Sequence, residues 1–325
     1  MQVLTAPRGL IVDIITPFTK GGAIDGPGLR KLLNRVSPYA QAVFLASPHT
    51  GEGKNLHTEQ RVELLEQAIP AMAQYPIPIL IWVTQDNEAE SRRTTIALKG
   101  VIGKRGYMGD LFWVDTPLYY HSNRGLPGLY KALCSVVGKS YILHNDPGFI
   151  NGLTRPLKRN NIRTAVLKEL ISLKEITGLI FSGSLDRAHN YHKACRSRPN
   201  FRIYDGEEPH FLDHPSRSGV VSVGANLAPK AWKKIIQSSL DLSAHKKDYP
   251  DHLQQIWELG DYLRDMRDIY LQAPAPILKE ILSDMGIIET PVCTIQVEDI
   301  EESKSRLKEL MTRFGDYPAP IFQSD

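Results

Sequence analysis

The chain has 325 residues, of which 42% are hydrophobic and 23% charged, and a formal net charge of +3 at pH 7. This length fits two average domains or one large α/β barrel, and the charge carries no basic excess that would indicate a nucleic-acid partner. The three cysteines are widely separated and predict neither a disulfide framework nor a zinc ribbon. No signal-peptide pattern and no apolar run of about 18 residues occurs, so we expect a cytoplasmic protein without membrane segments.

Short apolar runs rich in valine, isoleucine and leucine alternate with segments of helical periodicity, as expected of parallel strands covered by helices. The helical segment Thr58–Met72, for example, places Val62, Leu65 and Ile69 on one face. Eight strand–helix pairs favour a closed (β/α)8 TIM barrel over a doubly wound sheet, which usually has a glycine-rich fingerprint after its first strand. The runs predicted as strands are Gly9–Phe18, Ala42–Ser47, Pro78–Thr84, Asp110–Pro117, Ser140–Asp146, Ile171–Thr177, Phe201–Gly206 and Gly219–Asn226.

After the eighth run the sequence predicts only helices, at Asp251–Leu271, Pro276–Met285 and Glu298–Phe314. We therefore expect an α/β barrel over residues 1–228, followed over residues 229–325 by the last barrel helix and a C-terminal helical region. The segment APAP at 273–276 is interpreted as a rigid connector, because proline fixes φ.

One lysine, Lys174, lies in the segment ISLKEITG, inside the run predicted as the sixth strand. A buried unpaired ammonium group is costly, so a strand lysine lies at a solvated end or is kept for chemistry. In barrels of this kind the working residues lie at the carboxyl ends of the strands and in the loops that follow. Besides this lysine, the segments placed there by the prediction are SPHTGEG (47–53), TPLYYHSN (116–123), HN (144–145) and YDGEE (204–208).

Five segments resemble motifs of the dihydrodipicolinate synthase and N-acetylneuraminate lyase superfamily of Schiff-base lyases. The resemblance runs over roughly residues 8–290 and implies an eight-stranded barrel with a C-terminal helical domain, usually assembled as a tetramer. GLIVDIITPF resembles the opening strand that ends in T-P-F, HTGEGKNLHTEQR resembles T-T-G-E followed by L-T-x-E-E-R, SLKEITG resembles G-I-K-E/D-x-x-G, SGVVSVGANLAP resembles G-V-I-S-V-x-A-N-x-x-P, and APAPILKEILSDMG resembles N-P-x-P-x-K-x-x-L-x-x-x-G.

The resemblance places the Schiff-base lysine of the family at Lys174, whose neutral amine would form an imine with pyruvate or another 2-oxo acid. It also implies that Thr50 and the backbone of its turn bind the substrate carboxylate, with His49 and Gly51 beside it. For the distal part of the substrate it implies contacts with Glu207 and Glu208, while ordinary solvated loop charges are the alternative for both residues.

The same resemblance implies a substrate contact for Val221, in SGVVSVGANLAP, and a catalytic hydroxyl from the tyrosine pair after the fourth strand. In the family the second tyrosine reaches the site of a neighbouring subunit. Here the extra Leu118 makes the register uncertain by one residue, so Tyr120 is the preferred candidate and Tyr119 the alternative.

Two linked positions depart from the family pattern. The family motif Y-N-x-P reads HNDP here, so His144 replaces a proton-relay tyrosine, and His49 replaces the threonine that bonds to it. Imidazole titrates near neutral pH, so His144 is predicted as a proton shuttle, with simple filling of a reshaped pocket as the alternative. The following segment GFING lacks the arginine of members that use aspartate semialdehyde, and its Phe149 suggests a less polar acceptor side.

The function predicted from the sequence is a class I Schiff-base aldolase or lyase acting on pyruvate or another 2-oxo acid, and not dihydrodipicolinate synthesis itself. No cofactor is expected. A metal site of His49 and His144 with a glutamate is possible in principle, but no H-x-x-x-H spacing supports it. We expect a homotetramer or homodimer. The alternatives are a dehydratase of 2-oxo sugar acids and a keto-acid-binding homologue without turnover.

Overall fold

Eight parallel strands form the centre of the molecule. The computed structural model describes residues 4–153, 159–240, 251–295 and 299–318. The strands close into a barrel in which each pairs with the next and β8 pairs with β1, which confirms the predicted TIM barrel. Their bounds are β1 Gly9–Asp13, β2 Ala42–Leu45, β3 Ile79–Trp82, β4 Leu111–Asp115, β5 Ser140–Asn145, β6 Ile176–Phe181, β7 Arg202–Asp205 and β8 Gly219–Ser222.

Helices follow the strands and cover the outside of the barrel. Because the strands face packed side chains inside and helices outside, most of their residues are buried on both faces, which explains the nearly continuous apolar runs. None of the described helices is long and apolar enough to cross a membrane. The helices up to the last barrel helix are α1 Gly26–Val36, α2 Thr58–Met72, α3 Glu88–Arg105, α4 Pro117–Tyr120, α5 Leu126–Val137, α6 Pro147–Asn151, α7 Thr164–Leu170, α8 Leu185–Ala194, α9 Glu208–Asp213 and α10 Pro229–Leu240.

Three further helices, α11 Asp251–Tyr270, α12 Pro274–Asp284 and α13 Glu301–Phe314, form the predicted C-terminal helical region. Their apolar faces join the core of the barrel in one continuous cluster. The interpretation of APAP as a connector is wrong, because Pro274 and Pro276 lie in the first turn of α12, where a missing N–H removes no helical hydrogen bond. The domain boundary after residue 228 stays a prediction.

The sixth strand lies five residues further along the chain than predicted, since β6 begins at Ile176 and not at Ile171. Residues 171–175 form a turn after α7. The physical reason is a guanidinium group: Arg198 donates hydrogen bonds to the backbone carbonyls of Ile171, Leu173, Lys174 and Ile176 at 2.6–3.0 Å. The carbonyls of Ile171, Leu173 and Lys174 are thus bound to a side chain and not to a neighbouring strand, and the pairing of β6 with β5 begins at Ile176.

Candidate functional site at the carboxyl ends of the strands

Lys174 lies in the turn before β6, at the amino-terminal end of the barrel strands, and is exposed. The candidate site lies at the opposite end, where the loops after the strands converge. A strand of six residues is about 20 Å long, which separates the two ends. The prediction that Lys174 lies within the sixth strand and reaches the site is therefore wrong.

In β6, the residue at the same level as the site is Ile180, which pairs with His144 of β5. The motif G-I-K-E fits β6 when its glycine is placed at Gly178, and Ile180 then takes the position of the lysine. None of the eight strands contains a lysine. Among the described residues the only buried lysine is Lys279, and its ammonium group is paired with Glu52.

Asp13, the last residue of β1, is a buried carboxyl group that the sequence prediction missed. Burial raises the pKa of Asp13 to about 7, while the neighbouring hydroxyls of Ser47 and Thr50 offset part of this increase and Glu208 adds to it. Its Oδ1 atom is buried and has no hydrogen-bond partner among the described residues. A buried carboxyl group with a raised pKa at this end of a barrel is a candidate for a functional residue. The available signal was a lone acid ending the apolar run GLIV.

The loop after β2 has a compact backbone with unused amide groups. Ser47 accepts hydrogen bonds from the N–H groups of Gly51 and Gly53, both at 2.8 Å. A Cβ atom on Gly51 would lie 2.4 Å from the Ser47 nitrogen, so this approach requires glycine. No hydrogen bond among the described residues uses the N–H of His49 or Thr50. Successive free amides in a turn suit an anion.

Distant groups hold this loop in place. Arg61 is fully buried and donates hydrogen bonds to the carbonyls of Gly53, at 2.7 Å, and Thr84, at 2.8 Å. On the other side Glu52 pairs with Lys279 and accepts a hydrogen bond from the N–H of Thr294 at 2.6 Å. The conformation of Glu52, with φ of 52°, is one that side chains disfavour, and it persists because these contacts determine it.

His144 lies at the carboxyl end of β5 and forms part of a buried hydrogen-bond chain. Its Nδ1 atom is 2.8 Å from Oγ1 of Thr116, and Trp82 Nε1 donates to the same oxygen at 2.8 Å. Burial lowers the pKa of His144 to about 4, with His49 lowering it further and Asp146 opposing. The imidazole is therefore neutral at pH 7, and the proton-shuttle role of His144 stays a prediction that starts from the neutral ring.

Aromatic rings cover the β3–β5 side of the site. Phe149 stacks on Tyr119 with ring centroids 5.1 Å apart and meets Trp82 edge-on at 6.1 Å. His49, which is exposed, approaches Phe149 at 4.9 Å. The apolar side that Phe149 suggested in the sequence therefore consists of several rings in contact.

The tyrosine pair divides between two environments. The hydroxyl of Tyr120 donates to Asp115 Oδ2 at 2.8 Å, and the Tyr130 hydroxyl donates to the same oxygen at 2.7 Å. Burial and Asp115 raise the pKa of Tyr120 well above its ordinary value. Tyr119 is the tyrosine that joins the aromatic rings at the site. Catalysis by Tyr120 stays a prediction, although its hydroxyl is bound within its own chain.

The remaining predicted contacts lie after β7 and on β8. Glu208 accepts hydrogen bonds from Ser222 Oγ at 2.6 Å, from the Gly224 N–H and from the Tyr270 hydroxyl, so it ties β8 to α11. Glu207 is half-buried beside it and Val221 is buried in β8. Their substrate contacts stay predictions. Within the described ranges no group of three or more His, Cys, Asp or Glu residues could hold a metal ion.

Solved structures share the architecture of the chain. A dihydrodipicolinate synthase from Bacillus anthracis superposes with a TM-score of 0.76 at 19% identity, covering 95% of this chain and 99% of that one. YagE, a prophage protein from Escherichia coli K12 described in complex with pyruvate, gives 0.76 at 18% identity, covering 95% and 98%. At these identities the likeness shows the fold alone.

Sequence relatives extend the likeness along the chain. The 4-hydroxy-tetrahydrodipicolinate synthase of Alcanivorax borkumensis is 26% identical over 315 residues, which cover 95% of this chain and 98% of that protein. The enzyme of the same name from Methylococcus capsulatus is 26% identical over 286 residues, covering 87% and 90%. The model of the family described as "Dihydrodipicolinate synthetase family" matches residues 6–312, and the chain therefore belongs to that family.

Proposed function

We propose that the chain binds a small 2-oxo acid such as pyruvate at the carboxyl ends of its strands and transfers a proton beside the carbonyl without forming an imine. The observation that supports this proposal is that the site has a titrating carboxyl group but no lysine at the position that aligns with the lysine of the family motif. The β6 position beside His144 is Ile180, while a titrating carboxyl group, Asp13, ends β1. Family membership supports a lyase of the aldolase type, and the site supports a route to it that needs no amine.

The carboxylate of the substrate would lie against the loop after β2. The free N–H groups of His49 and Thr50 offer two donors to an anion, and the turn that presents them is held by Ser47, Arg61 and Glu52. This assignment retains the predicted carboxylate-binding role of Thr50. The hydroxyl of Thr50 also neighbours Asp13.

Asp13 would act as the general base. With a pKa of about 7, an appreciable fraction is ionised at neutral pH and can take a proton from the carbon next to the carbonyl. The electrons of the broken C–H bond move to the carbonyl oxygen and give an enolate, and return of the proton restores the oxo acid. His144 lies on β5, opposite β1 in the strand order, and faces the same space as a neutral ring.

The enolate is also the species that would attack an aldehyde, so carbon–carbon bond formation or cleavage is the reaction class within this proposal. Dihydrodipicolinate synthesis is not expected, because Phe149 and its aromatic neighbours occupy the region where the arginine is missing. The family also supports a homotetramer or homodimer acting in the cytoplasm, and these belong to the proposal. A binding protein without turnover is the second candidate, favoured by Ile180 in the lysine position.

Proton transfer can be measured by incubating the protein with pyruvate in D₂O and following loss of the methyl signal by ¹H NMR. We expect exchange by the wild-type protein and a decrease of roughly 10²–10⁴-fold in Asp13→Asn. Parallel borohydride treatment should leave all lysines without a pyruvate-derived mass. Lys174→Ala, which changes an exposed residue at the other end of the barrel, is the matched control and should exchange normally.

Three results would contradict the proposal in different ways. A pyruvate adduct on any lysine would restore the imine mechanism. Binding of pyruvate, measured by calorimetry, without exchange would identify a binding protein. Absence of binding would exclude pyruvate, and the same calorimetric experiment repeated with longer 2-oxo acids would show whether the ligand class itself is wrong.

A further inference from the structure

We infer that Trp82 and Thr116 hold His144 in the tautomer that carries its hydrogen on Nε2, so that the site presents a ring N–H donor to an oxygen atom of the ligand. The role of this donor in catalysis rests on the proposed function, but the tautomer itself does not. Trp82 and Thr116 are positioning residues, because they act on the ligand through His144.

The assignment follows from the number of hydrogens available at Thr116 Oγ1. The indole Nε1 of Trp82 can only donate, so Thr116 accepts that bond at 2.8 Å. The hydroxyl has one hydrogen of its own, and the neighbouring acceptor is Nδ1 of His144, also at 2.8 Å. In the opposite arrangement, with Nδ1–H donating, the Thr116 hydrogen would be buried without a described acceptor, because this residue is fully buried.

A second part of the same hydrogen-bond chain holds the backbone of Thr116 in place. Its N–H donates to Thr84 Oγ1 at 2.7 Å, and the Thr84 hydroxyl donates to Asp115 Oδ1 at 2.6 Å. The Thr84 oxygen accepts the Thr116 N–H, so its own hydrogen is directed to the Asp115 carboxyl group. The direction of each hydrogen bond from Asp115 to the Thr116 backbone is thus determined, and Thr116 has little freedom to move away from His144.

The other ring nitrogen of His144 is available to a ligand. No hydrogen bond among the described residues uses Nε2, and this atom is not among the buried polar atoms that lack a partner. A neutral imidazole N–H can donate to a carbonyl oxygen and bind it more strongly as negative charge develops there. The ligand class is therefore one with an acceptor oxygen on the carbon beside the carboxylate, as in a 2-oxo acid.

Nitrogen NMR tests the tautomer without any substrate. In full-length protein labelled with ¹⁵N-histidine, long-range ¹H–¹⁵N spectra at pH 7 should show His144 with a protonated Nε2 and an unprotonated Nδ1. Thr116→Val, which removes the hydroxyl but keeps the branched shape, should give a mixture of tautomers. Thr116→Ser keeps the hydroxyl and should restore the wild-type pattern. A wild-type ring protonated on Nδ1 would overturn the inference whatever the outcome of the exchange assay.

A binding experiment tests the donor itself. Thr116→Val should weaken pyruvate binding by about tenfold or less, the usual size of one hydrogen bond, while binding of propionate, which lacks the C2 oxygen, should change little. Equal losses for both ligands would mean that Thr116 only maintains the shape of the site, and would overturn the donor role. If Thr116→Val does not fold, Thr116→Ala provides the second variant, because it also removes the hydroxyl that donates to Nδ1.

Discussion

The two sides of the site differ in charge. On the β1–β2 side, Asp13 titrates near neutral pH beside free backbone amides of the loop after β2. On the β5–β6 side, His144 is neutral and Ile180 is apolar and buried, with Phe149 nearby. In the proposed site the groups suited to an anion lie on one side, and the position that aligns with the lysine of the family motif lies on the other. The contrast teaches that these two features of the barrel can vary independently, and the variants below test whether binding and imine formation do so as well.

The largest expected effect comes from placing a lysine on the apolar side. Ile180→Lys should convert a protein without a trappable adduct into one that gives a pyruvate adduct with borohydride, because burial lowers the pKa of a lysine and leaves a reactive amine. The buried charge should also destabilise the fold by several kcal/mol. Peptide mass spectrometry locates the adduct, and Ile180→Met is the control. A folded Ile180→Lys protein that binds pyruvate without forming an adduct would show that this position does not face the ligand.

The next largest effect concerns the charged side. The pKa of Asp13 is about 7 in the fold, against 3.8 for an ordinary aspartate, so between these pH values the unfolded chain holds fewer protons and stability falls as pH rises. Asp13→Asn lacks this loss and should be more stable than the wild type by up to about 4 kcal/mol at pH 8, with a smaller gain at pH 5. Urea unfolding at both pH values measures it. Asp110→Asn, at an exposed position, is the control, and a pH-independent gain would contradict the assignment.

Ligand affinity should depend on the same group to a smaller extent. A bound carboxylate raises the pKa of Asp13 but must leave part of it ionised to act as the base, so pyruvate affinity should be constant below about pH 7 and fall by less than about tenfold in total above it. Titration calorimetry from pH 6 to 9, on the wild type and Asp13→Asn, tests this. The variant should show a flat profile. A wild-type affinity that rises with pH would place the carboxylate elsewhere.

The smallest effect is expected at the lysine that the sequence favoured. Lys174→Ala should change stability by less than about 0.5 kcal/mol, because the side chain is exposed and the Arg198 contact uses its backbone carbonyl. Arg198→Ala should cost about 2 kcal/mol or more, because four carbonyls lose a charged donor. Thermal unfolding compares the two variants. A larger effect at Lys174 would indicate a role for its ammonium group.

The sequence predicted the barrel because its strands are short, apolar and separated by periodic helices, and α2 was placed with the bounds that the structure has. The prediction of the sixth strand failed because it followed the match of SLKEITG to the family motif and not the apolar run that comes after it. The segment Ile176–Phe181 is continuously apolar apart from Thr177 and Gly178, whereas Ile171–Thr177 contains Ser172, Lys174 and Glu175. A fully buried strand would not be expected to carry those charges.

Other parts of the site could not be predicted from one sequence. The hydrogen-bond chain from Trp82 through Thr116 to His144 joins β3, the residue after β4, and β5, at separations of 34 and 28 positions. Its direction depends on distances that sequence spacing does not give. The environments of Tyr119 and Tyr120 likewise depend on which face of a single turn meets Asp115. Asp13 was visible as an acid in an apolar run, but the size of its pKa change depends on burial.

The pairing of Glu52 with Lys279 has a consequence for how the chain can be divided. These residues are 227 positions apart, and Thr294, which also bonds to Glu52, lies beyond α12. A fragment ending after the eighth strand would contain every strand but would leave Glu52 as a buried carboxylate without its cation. The eight-stranded barrel is thus a unit of architecture, whereas the smallest unit that keeps every described contact of Glu52 in the loop after β2 extends to residue 294.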